Sequence, residues 1–177
     1  MIRLKTGRWF AALLGVLVMC AGSAHATDIG GTISATVTIT EDSQLVDDVT
    51  CTVTGAPCIA IGVPNVTLDL NGFTMTGPAD PQVACPASPG LPITNASGEA
   101  GIFVNAQKDV VIRGPGLLQQ FRNFGILLLN STSGTVKGVT MSNNCFSGVI
   151  LIGGSDYLLE GNVSVRNGAP NAPCGGI

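Results

Sequence analysis

Charge is scarce in this chain. Asp, Glu, Lys and Arg make up 11% of its 177 residues, with eleven acids to eight bases. No basic stripe is left to follow a phosphate backbone, so nucleic acid is excluded as a partner. An anionic membrane surface is excluded on the same ground. Aromatics are 5%, with one Trp and one Tyr, so platforms for stacking sugar rings are few. The only histidine is His25, and the cysteines lack C-x-x-C spacing, so no metal site is expected. No segment after residue 26 keeps a sustained helical period, which argues against a helical bundle. The chain is instead rich in Gly, Ser, Thr and Asn, a composition suited to short strands and tight turns.

The one long apolar run is at the start. Arg3, Lys5 and Arg8 precede Trp9 to Cys20 (WFAALLGVLVMC), which is too short to span a bilayer comfortably. Ala24-His25-Ala26 then reads as a cleavage site. Residues 1–26 are therefore expected to be a signal peptide, leaving no stable membrane anchor. The protein is expected to be secreted, periplasmic or on the cell surface. Cleavage removes three bases and no acid, for a net charge of −6. Five cysteines remain: Cys51, Cys58, Cys85, Cys145 and Cys174. Export makes disulfides plausible, and the odd number leaves one thiol over.

What organises the rest is a repeat. Gly101-Ile102, Gly125-Ile126 and Gly148-Val149 recur about every 23 to 24 residues, and Gly176-Ile177 follows after a longer step. A period in this range marks a stacked repeat architecture. Thr32 to Thr40 (TISATVTIT) alternates strictly, as a half-buried strand does. Setting Gly72, Gly114, Gly138 and Gly161 as equivalent aligns Leu70, Ile112, Val136 and Leu159 two residues before them. Asn71, Arg113, Lys137 and Glu160 then form a polar file, and Ile59, Ile102, Ile126 and Val149 a second apolar one. Files that persist from repeat to repeat are what stacked parallel strands require, about 4.8 Å apart. A leucine-rich repeat, the rival at this period, needs leucines that Val136–Asn144 (VKGVTMSNN) lacks.

Asn65 to Thr74 (NVTLDLNGFT) resembles an early coil of the right-handed parallel β-helix proteins, the pectin-lyase-like solenoids with three short strands per coil. The resemblance covers roughly residues 45–177. The expected fold is all-β: a right-handed parallel β-helix with about 23–24 residues per coil. Residues 27–58 would supply the N-terminal strands and first coil, and 59–177 the stacked coils. The step from Gly72 to Gly114 holds one coil plus a proline-rich loop insertion at about 77–98. A smaller insertion, Gly168 to Pro173, precedes the last Gly-Ile. Because Ile177 falls where a new coil starts, the chain reads as the N-terminal fragment of a longer solenoid.

The columns carry further expectations. Asn123, Asn143, Asn144, Asn167 and Asn171 fall at corners or loops, where Asn tolerates left-handed backbone and stacked amides can ladder. Cys145 and Cys174 fall at nearly the same corner of adjacent coils, which predicts a Cys145–Cys174 bridge. Cys51 and Cys58 would close a small loop, with Cys85 the odd thiol. The candidate catalytic acids are Asp109 and Asp156, in one column with Ser133 between them. Two strand spacings set them roughly 9–10 Å apart, wide for a retaining pair and at the upper edge for an inverting one. Solvated turn residues are the simpler reading of both.

The resemblance implies polysaccharide as ligand or substrate, with calcium as cofactor if the chain is a lyase. Whether it is an enzyme is left open. One alternative is a non-catalytic structural or adhesive surface solenoid. Another is a periplasmic protein of copper-enzyme maturation, although no His-rich or Met-rich cluster is present.

Overall fold

A computed structural model of the chain describes residues 26–79, 85 and 98–168. The signal segment up to His25, most of the 77–98 insertion, and Ala169 onwards, with Asn171 and Cys174, lie outside the described residues.

The described residues form strands and no helix. One sheet runs β1 (Thr27–Ile33), β3 (Ser43–Cys51), β5 (Thr67–Asp69), β8 (Val111–Gln119), β10 (Thr135–Ser142) and β12 (Leu158–Glu160). Two short strands continue its outer rows: β6 (Thr74–Thr76) beside β3 and β8, and β13 (Val163–Val165) beside β10. The second sheet runs β2 (Val37–Ile39), β4 (Ile59–Ile61), β7 (Ala100–Asn105), β9 (Phe124–Leu129) and β11 (Ser147–Ile152). All of the pairings are parallel. The chain thus visits one sheet, then the other, and returns one strand further along, an arrangement compatible with a β-helix-like solenoid.

The apolar file of the second sheet is Val37, Ile59, Ile102, Ile126 and Val149. Its last four members are 0–2% exposed. Burying each such side chain contributes about 1.5–3 kcal/mol, and none can be buried until its neighbour stacks on it.

Two expectations need correction. The alternating Thr32–Thr40 stretch is not one strand: β1 ends at Ile33 and β2 starts at Val37. The alternation runs on through a corner at 34–36, where Thr36 Oγ1 donates to the Pro57 carbonyl at 2.6 Å. The alignment at Gly72 is also two residues out. Leu68, not Leu70, pairs with Ile112, and Asp69 with Arg113. A one-residue slip would have turned every side chain over, but a two-residue slip keeps the alternation intact. "LDL" offers two equivalent choices.

The corners are built from left-handed residues. Asn65, Asp109, Ser133 and Asp156 stack at one corner with φ of 58, 56, 56 and 59°. Gln120, Asn143 and Arg166 do so at another, with φ of 58, 52 and 54°. Asn and Asp are the non-glycine residues that take this conformation most readily.

The recurring Gly-Ile has its cause at the next corner. Phe121, Asn144 and Asn167 stack there, and each faces one glycine of the motif. A Cβ on Gly125 would meet the Gly148 carbonyl at 2.6 Å and Asn144 Nδ2 at 3.1 Å; one on Gly148 would meet Asn167 Nδ2 at 3.0 Å. Asn144 is fully buried. It accepts from Phe121 N (3.0 Å) and donates to Asn167 Oδ1 (2.9 Å), while Asn167 donates to the Met141 carbonyl (3.0 Å). In the lower repeat Cys58 stands where the glycine would be and is bonded to Cys51 across the same corner, with Cα atoms 6.1 Å apart.

The expected Cys145–Cys174 bridge is replaced. Cys145 is bonded to Cys85, with Cα atoms 5.5 Å apart. The reason is the outer face of the second sheet, which is apolar: Phe103, Leu127 and Leu129 are buried there together with Phe124 and Phe146. Ala79 and Cys85, both within the insertion, pack on that face. Cys145 is therefore bonded to Cys85, a residue of the insertion whose position the repeat spacing does not encode.

Candidate functional site

The candidate acids do not converge. Asp109 and Asp156 occupy equivalent left-handed corner positions with Ser133 between them. Their backbones are tied into the stack: Asp109 N donates to Thr132 O at 3.1 Å, and Ser133 N to Ser155 O at 3.1 Å. Asp156 Oδ2 accepts from its own neighbour, Ser155 Oγ, at 2.8 Å. Both acids are exposed. Two strand spacings of about 4.8 Å keep them apart. These are the hydrogen bonds of turn residues.

Polar side chains do converge on the outward face of the first sheet. The parallel register places Asp28, Gln44, Asp69, Arg113, Lys137 and Glu160 in one file, one per strand. Their side chains bond along it. Gln44 Nε2 donates to Asp28 Oδ1 at 2.9 Å, and Arg113 Nε to Asp69 Oδ2 at 2.7 Å. Lys137 Nζ lies 2.9 Å from Glu160 Oε2. The sequence had placed Arg113, Lys137 and Glu160 together with Asn71 in this file; the true fourth member is Asp69. Both cations therefore have an acid on their far side, and the stretch of the file from Gln44 to Glu160 balances its own charge.

A cleft of about 220 Å³ opens beside the lower part of this file. Asp42, Gln44, Thr67, Asp69 and Arg113 line it. Asp42 stands in for a missing strand partner, accepting from Thr67 N through Oδ1 at 2.8 Å. Asp69 is fixed from two sides, since its Oδ1 also accepts from Asn71 N at 2.8 Å. Gln44 and Asp42 were not picked out by sequence reading. The signal that could have found them is the register of "VTLDL", which sets Asp69 beside Gln44.

Glu99, at the insertion's exit, pairs with Arg122 Nε at 2.9 Å and accepts from Gly55 N. It pins the insertion's end to the corner below. The described aromatics offer no exposed platform: Phe103, Phe121, Phe124 and Phe146 are buried, and Phe73 and Tyr157 pack against the core. Among the described residues no three acids, cysteines or histidines come together as metal ligands, and no helix is long and apolar enough to cross a membrane.

Comparison with known proteins adds no neighbour: no family model, curated protein or solved structure matches the chain.

Proposed function

We propose that this chain is an exported, right-handed parallel β-helix protein of the pectin-lyase-like kind that binds polysaccharide along its outward polar file without cleaving it. The observation that carries the reading is the file of Gln44, Asp69, Arg113, Lys137 and Glu160 with the cleft at its lower end. Carboxylate, amide and guanidinium groups held at one strand spacing are the donors and acceptors that sugar hydroxyls take. The cleft is smaller than the roughly 300 Å³ floor of drug-sized pockets, which suits a single sugar ring of a longer chain.

Two features favour binding over processing. Asp109 and Asp156 lack the proximity that either glycosidase mechanism needs. Calcium belongs to the lyase reading, which would need acids clustered around it. The balanced file also points away from an acidic glycan, because Arg113 and Lys137 already face Asp69 and Glu160. Export rests on the N-terminal segment and agrees with two disulfides, which persist in oxidising compartments.

A glycan array on the purified protein tests the reading. Neutral polysaccharides are expected to bind, with no shortened products released. Arg113→Ala together with Gln44→Ala should weaken binding at least about tenfold, the loss of one or two charge-assisted hydrogen bonds. No binding to neutral or acidic glycans would leave the structural or adhesive scaffold as the better account. Copper titration checks the remaining alternative.

A further inference from the structure

The cleft beside the outward file has one wall that belongs to the export signal. Ala26 is the last residue of the expected A-x-A cleavage site. It lines the cleft together with Asp42, Gln44, Thr67, Asp69 and Arg113. The next residue, Thr27, opens β1 and is held through two polar atoms. Its backbone N donates to the Asp42 carbonyl at 3.0 Å, and its Oγ1 donates to Glu41 Oε1. Asp28 follows and accepts from Gln44. The first residue kept after cleavage is thus already fixed to the stack, and the residue bonded to its nitrogen faces the cleft.

Cleavage changes the chemistry of that wall. Water adds across the Ala26–Thr27 peptide bond, leaving a carboxylate on Ala26 and an α-ammonium on Thr27. The ammonium keeps the donor that faces the Asp42 carbonyl. It gains two more on the side that Ala26 occupied, since an ammonium carries three. An α-amino group titrates near about 7.7–8.0, so it is mostly charged at neutral pH.

The surroundings suit a cation there. Residues 27–107 hold eight acids and neither Lys nor Arg. Among the residues lining the cleft only Arg113 is basic, and its Nε is taken by Asp69. Asp42 Oδ1 is taken by Thr67 N, while the Glu41 carboxylate faces Thr27 itself. A cation beside Glu41 lowers the repulsion among these acids. It also supplies a charged donor, whose hydrogen bonds are stronger than those of a neutral amide.

We infer that cleavage after Ala26 completes the cleft: the Thr27 α-ammonium docks against the Asp42 carbonyl and the Glu41 carboxylate, and serves there as a donor to a sugar hydroxyl. The docking stands on the contacts of Thr27; the donor role rests on the glycan reading. A chain that keeps its leader has no such donor, so full affinity for ligand is reached only after export.

N-terminal sequencing of the exported protein should read Thr27-Asp28-Ile29. A carbodiimide joins an amine to a carboxylate in contact with it. It should link the Thr27 amine to Glu41, as mass spectrometry of the digest would show. In Glu41→Gln, which keeps an acceptor for Thr27 Oγ1, that link should vanish. A form with Gly-Ser ahead of Thr27 carries its amine elsewhere. It should bind the neutral polysaccharides that the array selects about threefold or more weakly, the loss of one hydrogen bond, with unchanged circular dichroism. A mature chain that starts at another residue, the absence of the Thr27–Glu41 link, or equal affinity in two forms that both bind would each overturn the inference. A link that forms while neither form binds any glycan would sink the glycan reading and the donor role, and leave the docked amine standing.

Discussion

Tyr157 is the only tyrosine in the chain, which makes its ionisation readable without interference. Its ring lies over Gly134, a residue whose missing side chain gives the ring its space. Burial raises its pKa above the usual 10, and the Ser131 hydroxyl offsets that only in part. Ser131 Oγ donates to the Leu129 carbonyl at 2.9 Å, and the Tyr157 hydroxyl is left without a well-formed hydrogen bond. The folded state therefore holds the phenol neutral. The associated stability is fully present below about pH 10, the unfolded value, and is lost as pH rises through the folded one. An absorbance titration should give a phenolate midpoint above 10, and Tyr157→Phe should flatten the fall of the denaturation midpoint at alkaline pH. A midpoint at or below 10 would contradict the burial argument. At this scale the turn chemistry was legible. Left-handed corners were expected of Asn, and the same conformation accounts for Asp109 and Asp156, whose carboxylates first invited a catalytic reading.

At the scale of the element, the corner file of Phe121, Asn144 and Asn167 is the part most exposed to a single change. Asn144→Ala leaves Phe121 N without its acceptor behind a fully buried position, while Asn167 Oδ1 keeps the residue-144 backbone N as donor at 3.0 Å. A stranded buried group costs about 1–3 kcal/mol. Urea denaturation should show a loss in that range, against a much smaller effect for the exposed Thr50→Ala on β3. The sequence foretold asparagine laddering and the apolar files, because both follow from a period that repeats. It could not decide between Leu68 and Leu70 as the partner of Ile112, since alternation is blind to a shift of two. That ambiguity hid Asp69 as the partner of Arg113, and with it the balance of the outward file.

Across the whole molecule, what was legible is what stacks. Strand files and corner residues came from the repeat. The path of the insertion did not, because a proline-rich loop carries no period to align. Its one described cysteine sits against Cys145 because the outer face of the second sheet is apolar and needs a cover. The Cys85–Cys145 bond spans 60 residues, and this has a mechanical meaning. Each parallel strand is held mainly to its neighbours in the stack, so a pull on the two ends should peel strands away one repeat at a time. The bond removes the enclosed chain from that process. At about 3.4 Å per extended residue, roughly 200 Å of contour length stays locked until the sulfurs part. Single-molecule stretching with and without reductant should differ by that length. The Cys85–Cys145 bond thus acts as a stop on how far the protein can be drawn out.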